Sequence, residues 1–408
     1  MTSTRRYFLK STGLGGVGLG ATVGAATAVS RGDRAAASES ATAANVVAAR
    51  AAAAGGTVPF YGAHQAGIAT PAQSDLQVAA LDMVSNSLAD LRTLLRAWSD
   101  AAARMARGEL IGSVRTGNRP PADTGEAIGL PPSRLTVTFG FGPTLFDSNG
   151  QDRFGLRGRR PAPLVHLPAF LGDALQPQIS GGDLGIQVCA DNPQVAFHAM
   201  HELIRLAIGI ARPRWLLAGV GRTANSRHQP LPRNLMGFQD GTANIKVEDT
   251  AAVKKFVWAS QPTSPAWMCG GSYLVARCIA INLKLWDSTG LGGQQQTIGR
   301  DKLGGGVLGH VPPTAHILLA SPSRNHGQRL LRRGYSYVDG IDPATGGMGA
   351  GLMFLCYQRD PRRQFIPIQR SIAGVDALSL YVTHVGSAVF ACPPSASTGG
   401  YVGEHLLG

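Results

Sequence analysis

Cysteine is scarce in this chain. Five Cys are spread over 408 residues, and no two of them have the CxxC spacing of zinc-binding or redox-active pairs. An odd number cannot all pair within one chain, and an isolated Cys in an apolar run, such as Cys189, is typical of a small buried side chain. The sequence therefore argues against a disulfide framework.

Charged residues (15%) and aromatic residues (6%) are also few, and Lys and Arg do not form runs interleaved with aromatics. The net charge of +13 therefore favours anionic small molecules or anionic lipid as partners and argues against nucleic acid. The chain has no GxSxG elbow and no HExxH motif, which argues against a serine hydrolase and a zincin. His198 and His201 have helical spacing, but no third ligand is evident, so the sequence favours a helix-surface position for both.

A long hydrophobic run is lacking as well, even near the N-terminus. Arg5 and Arg6 precede Phe-Leu-Lys and a Gly- and Ala-rich stretch, residues 11–30, that is too weakly apolar for a membrane anchor of about twenty residues. This layout is typical of an export signal and resembles the twin-arginine consensus, with an unprocessed tail as the alternative. The twin-arginine translocase carries folded proteins. The signal therefore predicts a protein that acquires a cofactor before export. We expect a periplasmic, cell-surface or secreted protein.

Three segments are predicted along the chain. Residues 1–57 are the signal and an Ala/Ser-rich linker, residues 58–225 form an N-terminal domain, and residues 226–408 form a C-terminal domain. Both blocks mix strand and helix patterns, which predicts an α+β fold with sheets covered by helices. The predicted helices are residues 76–106, 194–210 and 376–384, and the predicted strands are residues 135–140, 183–190, 273–285, 315–320 and 352–357. A Leu-to-Pro segment with Cys and Asp occurs in both blocks, at residues 184–193 and 352–361, which hints at duplication.

The sharpest local motif lies in residues 234–244. Asp240 stands between Gly237 and Gly241, which permit positive φ and let the backbone approach a large flat ligand. An Asx-turn that only caps the next helix is the alternative.

A second candidate is His316, an imidazole in an apolar segment. It could ligate haem iron through one ring nitrogen and keep the other for a hydrogen bond, although a satisfied core histidine is the alternative. Arg332 follows sixteen residues later, far enough for the chain to turn back. Peroxide chemistry needs these residue types together: an axial His, a carboxylate that moves a proton, and a fixed cation that stabilises developing negative charge.

The segment Gly237-Phe-Gln-Asp240-Gly241 matches the GxxDG motif of the dye-decolorizing peroxidases, and the chain resembles that family along nearly all of its mature length. Further matching segments are residues 59–62, 64–68, 271–277, 298–302, 330–335 and 357–365. The resemblance is to the twin-arginine-exported branch that includes deferrochelatase/peroxidase proteins.

This resemblance implies two ferredoxin-like domains with antiparallel sheets, and one haem b per chain in the C-terminal domain. It implies that Asp240 and Arg332 are the distal catalytic pair and that His316 is the axial ligand of the haem iron. The other implied haem contacts are Gly241, Thr242, Ala243, Arg277 (a candidate for a propionate) and Arg332 itself.

The chain departs from the family pattern at two positions. Cys278 follows Arg277 where many relatives have a second Arg, and Leu380 stands where relatives often carry an acidic residue that hydrogen-bonds the axial His. Asp376 is the acidic residue left nearby, so the support of His316 is the open point of the resemblance.

The resemblance predicts an oxidoreductase that uses H2O2 to oxidise dyes and small anionic or phenolic donors. Tyr335, Tyr337 and Trp286 are candidate relays to bulky donors at the surface. The alternatives are a deferrochelatase that removes iron from haem, a ferrous-iron-oxidising component of iron uptake, and a haem-binding protein with little turnover. A homo-oligomer is compatible with the sequence but not required by it.

Changing Arg5→Lys together with Arg6→Lys should leave a folded, haem-loaded protein in the cytoplasm, because the pair is the recognition element of the expected export signal. Cell fractionation with immunoblotting, and the Soret absorbance of the cytoplasmic fraction, measure this. Export of the double variant at the parental level would show that another route carries the protein.

Overall fold

The structure is a computed structural model that describes residues 56–221, 231–342 and 346–408. The expected signal and linker lie outside these ranges except for residues 56 and 57, and so does the expected domain boundary after residue 225. No helix in the described ranges is both long and apolar enough to cross a membrane. All five Cys are within the described ranges and are free thiols, as expected for a chain without a disulfide framework.

Residues 56–221 alternate strands with helices. The strands are β1 (Asp75–Met83), β2 (Thr136–Phe141), β3 (Leu184–Ala190) and β4 (Ala211–Gly221). The α-helices are α1 (Leu88–Met105), α2 (Pro143–Phe146) and α3 (Pro193–Leu206), and short 3-10 helices cover Arg157–Arg159 and Pro177–Ile179. Helix α1 begins after Ser87, whose hydroxyl accepts from Asp90 N (3.2 Å), and α3 begins after Asn192, whose side chain accepts from Gln194 N (2.8 Å).

Residues 231–342 and 346–408 also combine strands with helices. The strands are β5 (Ser272–Ile281), β6 (Leu331–Ile341), β7 (Met348–Gln358) and β8 (Val382–Cys392). The α-helices are α4 (Thr250–Phe256), α5 (Leu283–Ser288), α6 (Leu291–Ile298), α7 (His316–Leu319), α8 (Phe365–Ile372) and α9 (Glu404–Leu407). Short 3-10 helices cover Ala266–Met268, Pro322–Arg324 and Ala377–Leu380.

The eight strands of the described chain form one closed antiparallel barrel in the order β1-β3-β2-β8-β5-β7-β6-β4. The barrel has two halves, β1–β4 and β5–β8, with the same strand order. In each half the fourth strand lies beside the first, and the third and then the second strand follow: β4-β1-β3-β2 and β8-β5-β7-β6. Each half also follows a β-α-β-β-α-β sequence of main elements. The halves meet at two short seams, Phe141 beside Ala391 and residues 220–221 beside residues 335–336. Two α+β halves are thus joined edge to edge, which leaves few free strand edges.

Side chains bury both faces of the strands. In β1, Ala79 and Leu81 pack with α1 and α3, whereas Val78 and Ala80 pack against strands of the other half. Trp98 of α1 stacks on Phe139 at 5.3 Å between ring centroids and donates its indole N–H to Leu203 O (2.7 Å). The helices therefore cover the outer faces of the first sheet, and the second core lies between the two halves.

The predicted helix over residues 76–106 is wrong in its first third. Residues 75–83 form β1, and the helix begins only after Ser87. Because both faces of β1 are buried, its apolar residues do not alternate with polar ones, and their spacing matched a helical pattern by coincidence.

Two shorter predictions near the C-terminal half also need correction. The expected strand at residues 315–320 is the four-residue helix α7, and the expected helix at residues 376–384 is a 3-10 turn followed by β8. Elements of four residues carry too little periodicity to be read from sequence, and their form is fixed by tertiary contacts instead.

Gly140 and Gly185 lie opposite each other on β2 and β3, and Phe390 of β8 packs on both. A Cβ at Gly185 would lie 2.9 Å from Phe390 Cγ, and one at Gly140 would lie 2.7 Å from Phe390 Cβ. Because the surrounding core is closely packed, Gly185→Ala should lower the free energy of unfolding by about 1–3 kcal/mol. The midpoint of denaturant unfolding measures it.

Gly158→Ala is the matched control, since a Cβ at Gly158 meets nothing within 4 Å. Its effect should stay within about 0.5 kcal/mol. Equal stabilities of the two variants would show that Phe390 moves aside without cost.

Candidate active site

The turn that carries Asp240 is shaped by two glycines. Gly237 and Gly241 both have φ = +84°, a conformation that side chains with a Cβ rarely adopt. Asn234 Oδ1 accepts from the backbone N–H groups of Met236 and Phe238, each at 3.1 Å. These bonds fix the backbone that leads to Asp240.

Asp240 is held at the end of this turn. Its backbone N–H donates to Pro232 O (2.9 Å), and its Oδ1 accepts from the N–H of Gly241 (2.6 Å). Arg233 supports the same segment by donating to Gly237 O (2.8 Å) and to Leu303 O (2.8 Å). Hydrogen bonds with backbone groups therefore position the carboxylate of Asp240.

Asn244 joins this turn to strand β6. Its side-chain amide donates to Arg332 O (2.8 Å), and its carbonyl oxygen accepts from Arg332 N (2.8 Å). The side chain thus pairs with both backbone groups of one residue, as a neighbouring strand would. As a result, Arg332 Nη1 lies 3.8 Å from Asp240 Oδ1, which is a loose ion pair.

A cavity of about 160 Å³ opens beside this pair. Its lining combines polar groups with apolar side chains: Ala72, Gly221, Pro232, Asp240, Gly241, Asn244, Arg332, Arg333, Gly334, Tyr335, Leu352 and Phe354. Gly221 and Tyr335 pair across the seam between β4 and β6, so the cavity lies where the two halves of the barrel meet. The side chains of Asp240 and Arg332 are 24% and 33% exposed, so both can meet a small molecule that enters.

The cavity is a site for negative charge. Burial lowers the pKa of the Arg332 guanidinium, but not enough to deprotonate it, since guanidinium stays charged in proteins. Burial also lowers the pKa of Arg300, and the positive charge of Arg332 lowers it further. An anion or a developing oxyanion beside Arg332 would be stabilised by its positive charge.

His316 is the first residue of α7 and is held by Asp376. Its Nδ1 lies 2.6 Å from Asp376 Oδ2, and the other carboxylate oxygen accepts from Leu378 N at 2.8 Å. Because the carboxylate can only accept when ionised, Nδ1 carries the proton and Nε2 keeps the lone pair. The side chain of Asp376 is only 4% exposed, whereas that of His316 is 31% exposed. The carboxylate that holds the imidazole is therefore buried, and part of the imidazole remains accessible.

A small apolar cluster connects the segments that bear these residues. Met236, Phe238 and Trp286 belong to it, and Ile317 and Leu378 pack against it. The neighbours of Asp240, His316 and Asp376 in sequence therefore share one core. Trp286 donates its indole N–H to Met236 O (3.0 Å), which anchors the Asp240 turn to α5.

The other predicted cofactor contacts fall into two groups. Gly241 lines the cavity, Thr242 and Ala243 are exposed beside it, and a Cβ added at Gly241 would meet nothing within 4 Å, so this edge has room for a ligand. Arg277 is placed elsewhere. Its side chain is wholly buried and donates to Asp173, to His384 Nδ1 (3.1 Å) and to Ser387 Oγ (2.9 Å). The structure therefore does not bring Arg277 to the cavity, and its charge is compensated by Asp173.

The candidate relay residues are mostly buried. Tyr335 and Trp286 are each 1% exposed, and Tyr337 contacts Cys278 through its hydroxyl (3.5 Å). A bulky donor at the surface would thus not touch Tyr335 or Trp286 directly.

Sequence reasoning assigned no role to Asn244 or Arg300, and it left the partner of His316 open. Asn244 lies only four residues after Asp240, so its place in the motif was the available signal. Asp376 is the acidic residue nearest the position at which the family pattern places one; Leu380 occupies that position and is 73% exposed.

Two family models match the chain: "Dyp-type peroxidase, N-terminal" over residues 65–220 and "Dyp-type peroxidase, C-terminal" over residues 231–397. A deferrochelatase of Yersinia pestis is 36% identical over 374 residues, covering 86% of this chain and 84% of that protein. A deferrochelatase of Escherichia coli K12 is 35% identical over 373 residues, covering 86% and 87% of the two chains.

Solved structures agree with these matches. A DyP-type peroxidase from Streptomyces coelicolor is 38% identical, with a TM-score of 0.80 and coverage of 88% of this chain and 98% of that chain. The oxyferrous complex of DtpA from Streptomyces lividans is also 38% identical, with a TM-score of 0.81 and coverage of 88% and 99%. With models matched in both halves and relatives above one-third identity over most of their length, the chain belongs to the Dyp-type peroxidase family and is a peroxidase.

Proposed function

We propose that this peroxidase uses H2O2 to oxidise small organic donors, with Asp240 and Arg332 as the residues that act on peroxide and His316 as the ligand of haem iron. Haem is the cofactor of the enzyme, in keeping with its family and with the ferric and oxyferrous states named for DtpA. The observation that carries the residue assignment is the 3.8 Å approach of Arg332 to Asp240 at the edge of a cavity.

The residues present fit one haem b in the C-terminal half. The buried Asp376 fixes Nδ1 of His316, which leaves Nε2 as the nitrogen to meet iron. The open space at Gly241 would take the edge of the macrocycle, and Leu352 and Phe354 offer it apolar surface. Bound haem would supply the iron at which the O–O bond breaks.

The two cavity residues divide the work of peroxide cleavage. Asp240 accepts the proton from one peroxide oxygen and delivers it to the oxygen that leaves as water. Arg332 cannot take part in proton transfer and instead stabilises the negative charge that develops on the leaving oxygen. The two hydrogen bonds from Asn244 hold the backbone of Arg332 beside the Asp240 turn, from which its guanidinium reaches the cavity.

Asp376 acts on the cofactor indirectly, through its hydrogen bond to His316. A carboxylate that accepts from Nδ1–H raises the basicity of Nε2 and fixes the ring orientation. Asp376 itself cannot swing away, because its second oxygen holds Leu378 N. It is thus a positioning residue for the iron ligand.

A deferrochelatase activity is the second candidate, because the curated relatives at 35–36% identity carry that name. In that case the protein would release iron from haem and leave the porphyrin intact. Porphyrin fluorescence after incubation with haem distinguishes this from donor oxidation, which consumes peroxide. A ferrous-iron oxidase would instead consume peroxide with Fe²⁺ as donor, and a haem-binding protein of low turnover would do none of these.

We also propose an export route and a location for the enzyme. The Arg5-Arg6 signal would direct the folded, haem-loaded protein through the twin-arginine translocase, to a periplasmic, cell-surface or secreted location. The net charge of +13 would favour anionic or phenolic donors there.

Replacing His316 by Ala should abolish or greatly weaken haem retention, because the iron would lose its only proposed protein ligand. The ratio of Soret to protein absorbance after purification measures occupancy. His310→Ala is the matched control, since His310 is an exposed His six residues away and should leave occupancy unchanged. Full occupancy and an unchanged Soret band in the His316→Ala variant would contradict the assignment.

Replacing Asp240 by Asn should slow the reaction of the ferric enzyme with peroxide by about 10²–10⁴-fold and remove one acid-side ionisation from its pH profile. In the parent the rate should fall as the pH falls, because a protonated carboxyl can no longer accept the peroxide proton. Arg332→Leu should slow the reaction by about 10²–10³-fold at every pH and keep that ionisation. The two ranges overlap, so magnitude alone does not rank the residues. Because water can relay a proton when Asp240 is missing, we expect Asp240→Asn to fall at the low end of its range and Arg332→Leu to slow the reaction more.

Stopped-flow recording of the Soret change over acid to neutral pH separates the two variants. Parental rates in both would remove the peroxidase role from this pair and return the turn around Asp240 to a purely structural one.

A further inference from the structure

A second cluster of buried polar side chains lies where the loop between α1 and β2 meets helix α3. Asp123 comes from the loop, and His198 and Glu202 lie four residues apart on α3, so they share one helix face. Asp123 and Glu202 are 0% exposed and His198 is 3% exposed. One nitrogen or oxygen atom from each residue lies within 4.8 Å of the other two.

The second ring nitrogen of His198 points into this cluster without a hydrogen bond. Nε2 is buried and has no hydrogen-bond partner among the described residues. It lies 3.6 Å from Asp123 Oδ2, which is longer than an N–H···O bond of about 2.7–3.2 Å. Two ligands bonded at about 2.0–2.1 Å to one tetrahedral ion lie roughly 3.3–3.4 Å apart, so the observed spacing is closer to that of two metal ligands.

Glu126 orients the imidazole as a carboxylate does behind a metal-bound histidine. Its Oε2 lies 2.8 Å from His198 Nδ1, and its Oε1 lies 2.7 Å from His201 Nδ1. With the proton on Nδ1, the lone pair of His198 is on Nε2 and faces Asp123. Histidines that ligate metals nearly always have such a partner on the other nitrogen.

The two ligating carboxylates are oriented in the same way. Asp123 accepts from the backbone N–H of Gly125 (2.8 Å) and of Ile111 (2.8 Å). Glu202 accepts from Thr124 N (2.7 Å) and from Arg205 Nη2 (2.7 Å). Each oxygen of Asp123 accepts one of these hydrogen bonds and retains a lone pair for a cation. Glu202 is more fully bonded, since Oε1 also lies 2.6 Å from Thr124 Oγ1 and Oε2 also accepts from Arg205 Nε (2.9 Å), so a cation at Glu202 would displace one of these bonds.

The cluster is rich in carboxylates. Asp123, Glu126 and Glu202 contribute three of them, and Arg205 forms an ion pair with Glu202. Asp123 and Glu202 are 0% exposed, and buried carboxylates are costly unless hydrogen bonds or cations compensate them. A divalent cation between Asp123 and Glu202 would supply such compensation.

We propose that Asp123, His198 and Glu202 bind a divalent first-row transition-metal ion, with Glu126 as the positioning residue for His198. One imidazole and two carboxylates suit Zn²⁺ or Mn²⁺, and the set has no thiolate to favour softer ions. The ion would tie the loop of residues 106–135, which has no α-helix or strand, to α3. It is therefore a structural site, separate from the haem iron.

Equilibrium dialysis of the haem-loaded enzyme, first freed of loose metal with a chelator, tests the proposal with Zn²⁺ and Mn²⁺ as probes. Metal analysis should find one equivalent of Zn²⁺ or Mn²⁺ per chain in addition to iron. Glu126→Gln should weaken binding by about 10–100-fold, and His198→Gln should weaken it by at least about 100-fold, since a ligand matters more than its support. Calorimetric titration gives the affinities.

His201→Gln is the matched control, because His201 is one helical turn from His198, touches the same Glu126, and is 42% exposed. It should keep one equivalent of metal. An equal loss of metal binding in the His201 and His198 variants would place the metal at the exposed side of α3 and overturn the proposal. Failure of the parent to take up one equivalent of either ion would overturn it as well, whether or not the variants fold.

Discussion

The pairing of the Asn244 side chain with the backbone of Arg332 is the interaction on which the candidate active site depends. The turn bearing Asp240 and the strand bearing Arg332 are almost ninety residues apart in sequence. Each of the two bonds is ordinary, at 2.8 Å, but together they fix distance and rotation, as a ladder step does within a sheet. The carboxylate of Asp240 and the guanidinium of Arg332 thereby line one cavity.

The barrel sets where that cavity can be. Two sheets of identical strand order close on each other through one pair of residues at one seam and two pairs at the other. The wider seam places Gly221 beside Tyr335, and both residues line the cavity together with Arg332. The cavity thus lies at the junction between the two halves, which follows a common tendency of small-molecule sites.

Much of this was predictable from the sequence, and the failures have physical causes. The GxxDG turn, Arg332 and His316 were predicted from their residue types and from the resemblance to the dye-decolorizing peroxidases, and the structure brings Asp240 and Arg332 to one cavity. The repeated Leu-to-Pro segments also proved meaningful, since residues 184–193 and 352–361 each join the third strand of a half to its following helix. Strand β1 was missed because burial on both faces erases the alternation that identifies strands. Closure into a barrel and the burial of Arg277 depend on contacts between distant segments, which no local pattern records.

Asp376 shows how one short side chain can restrict what selection is able to change. One of its oxygens caps a 3-10 turn and the other holds His316. Asparagine could keep the cap but would offer a weaker acceptor to the imidazole, and glutamate could reach the imidazole only by leaving the turn. The basicity of the His316 imidazole and the stability of this turn therefore both depend on Asp376. A substitution that changes one must also change the other.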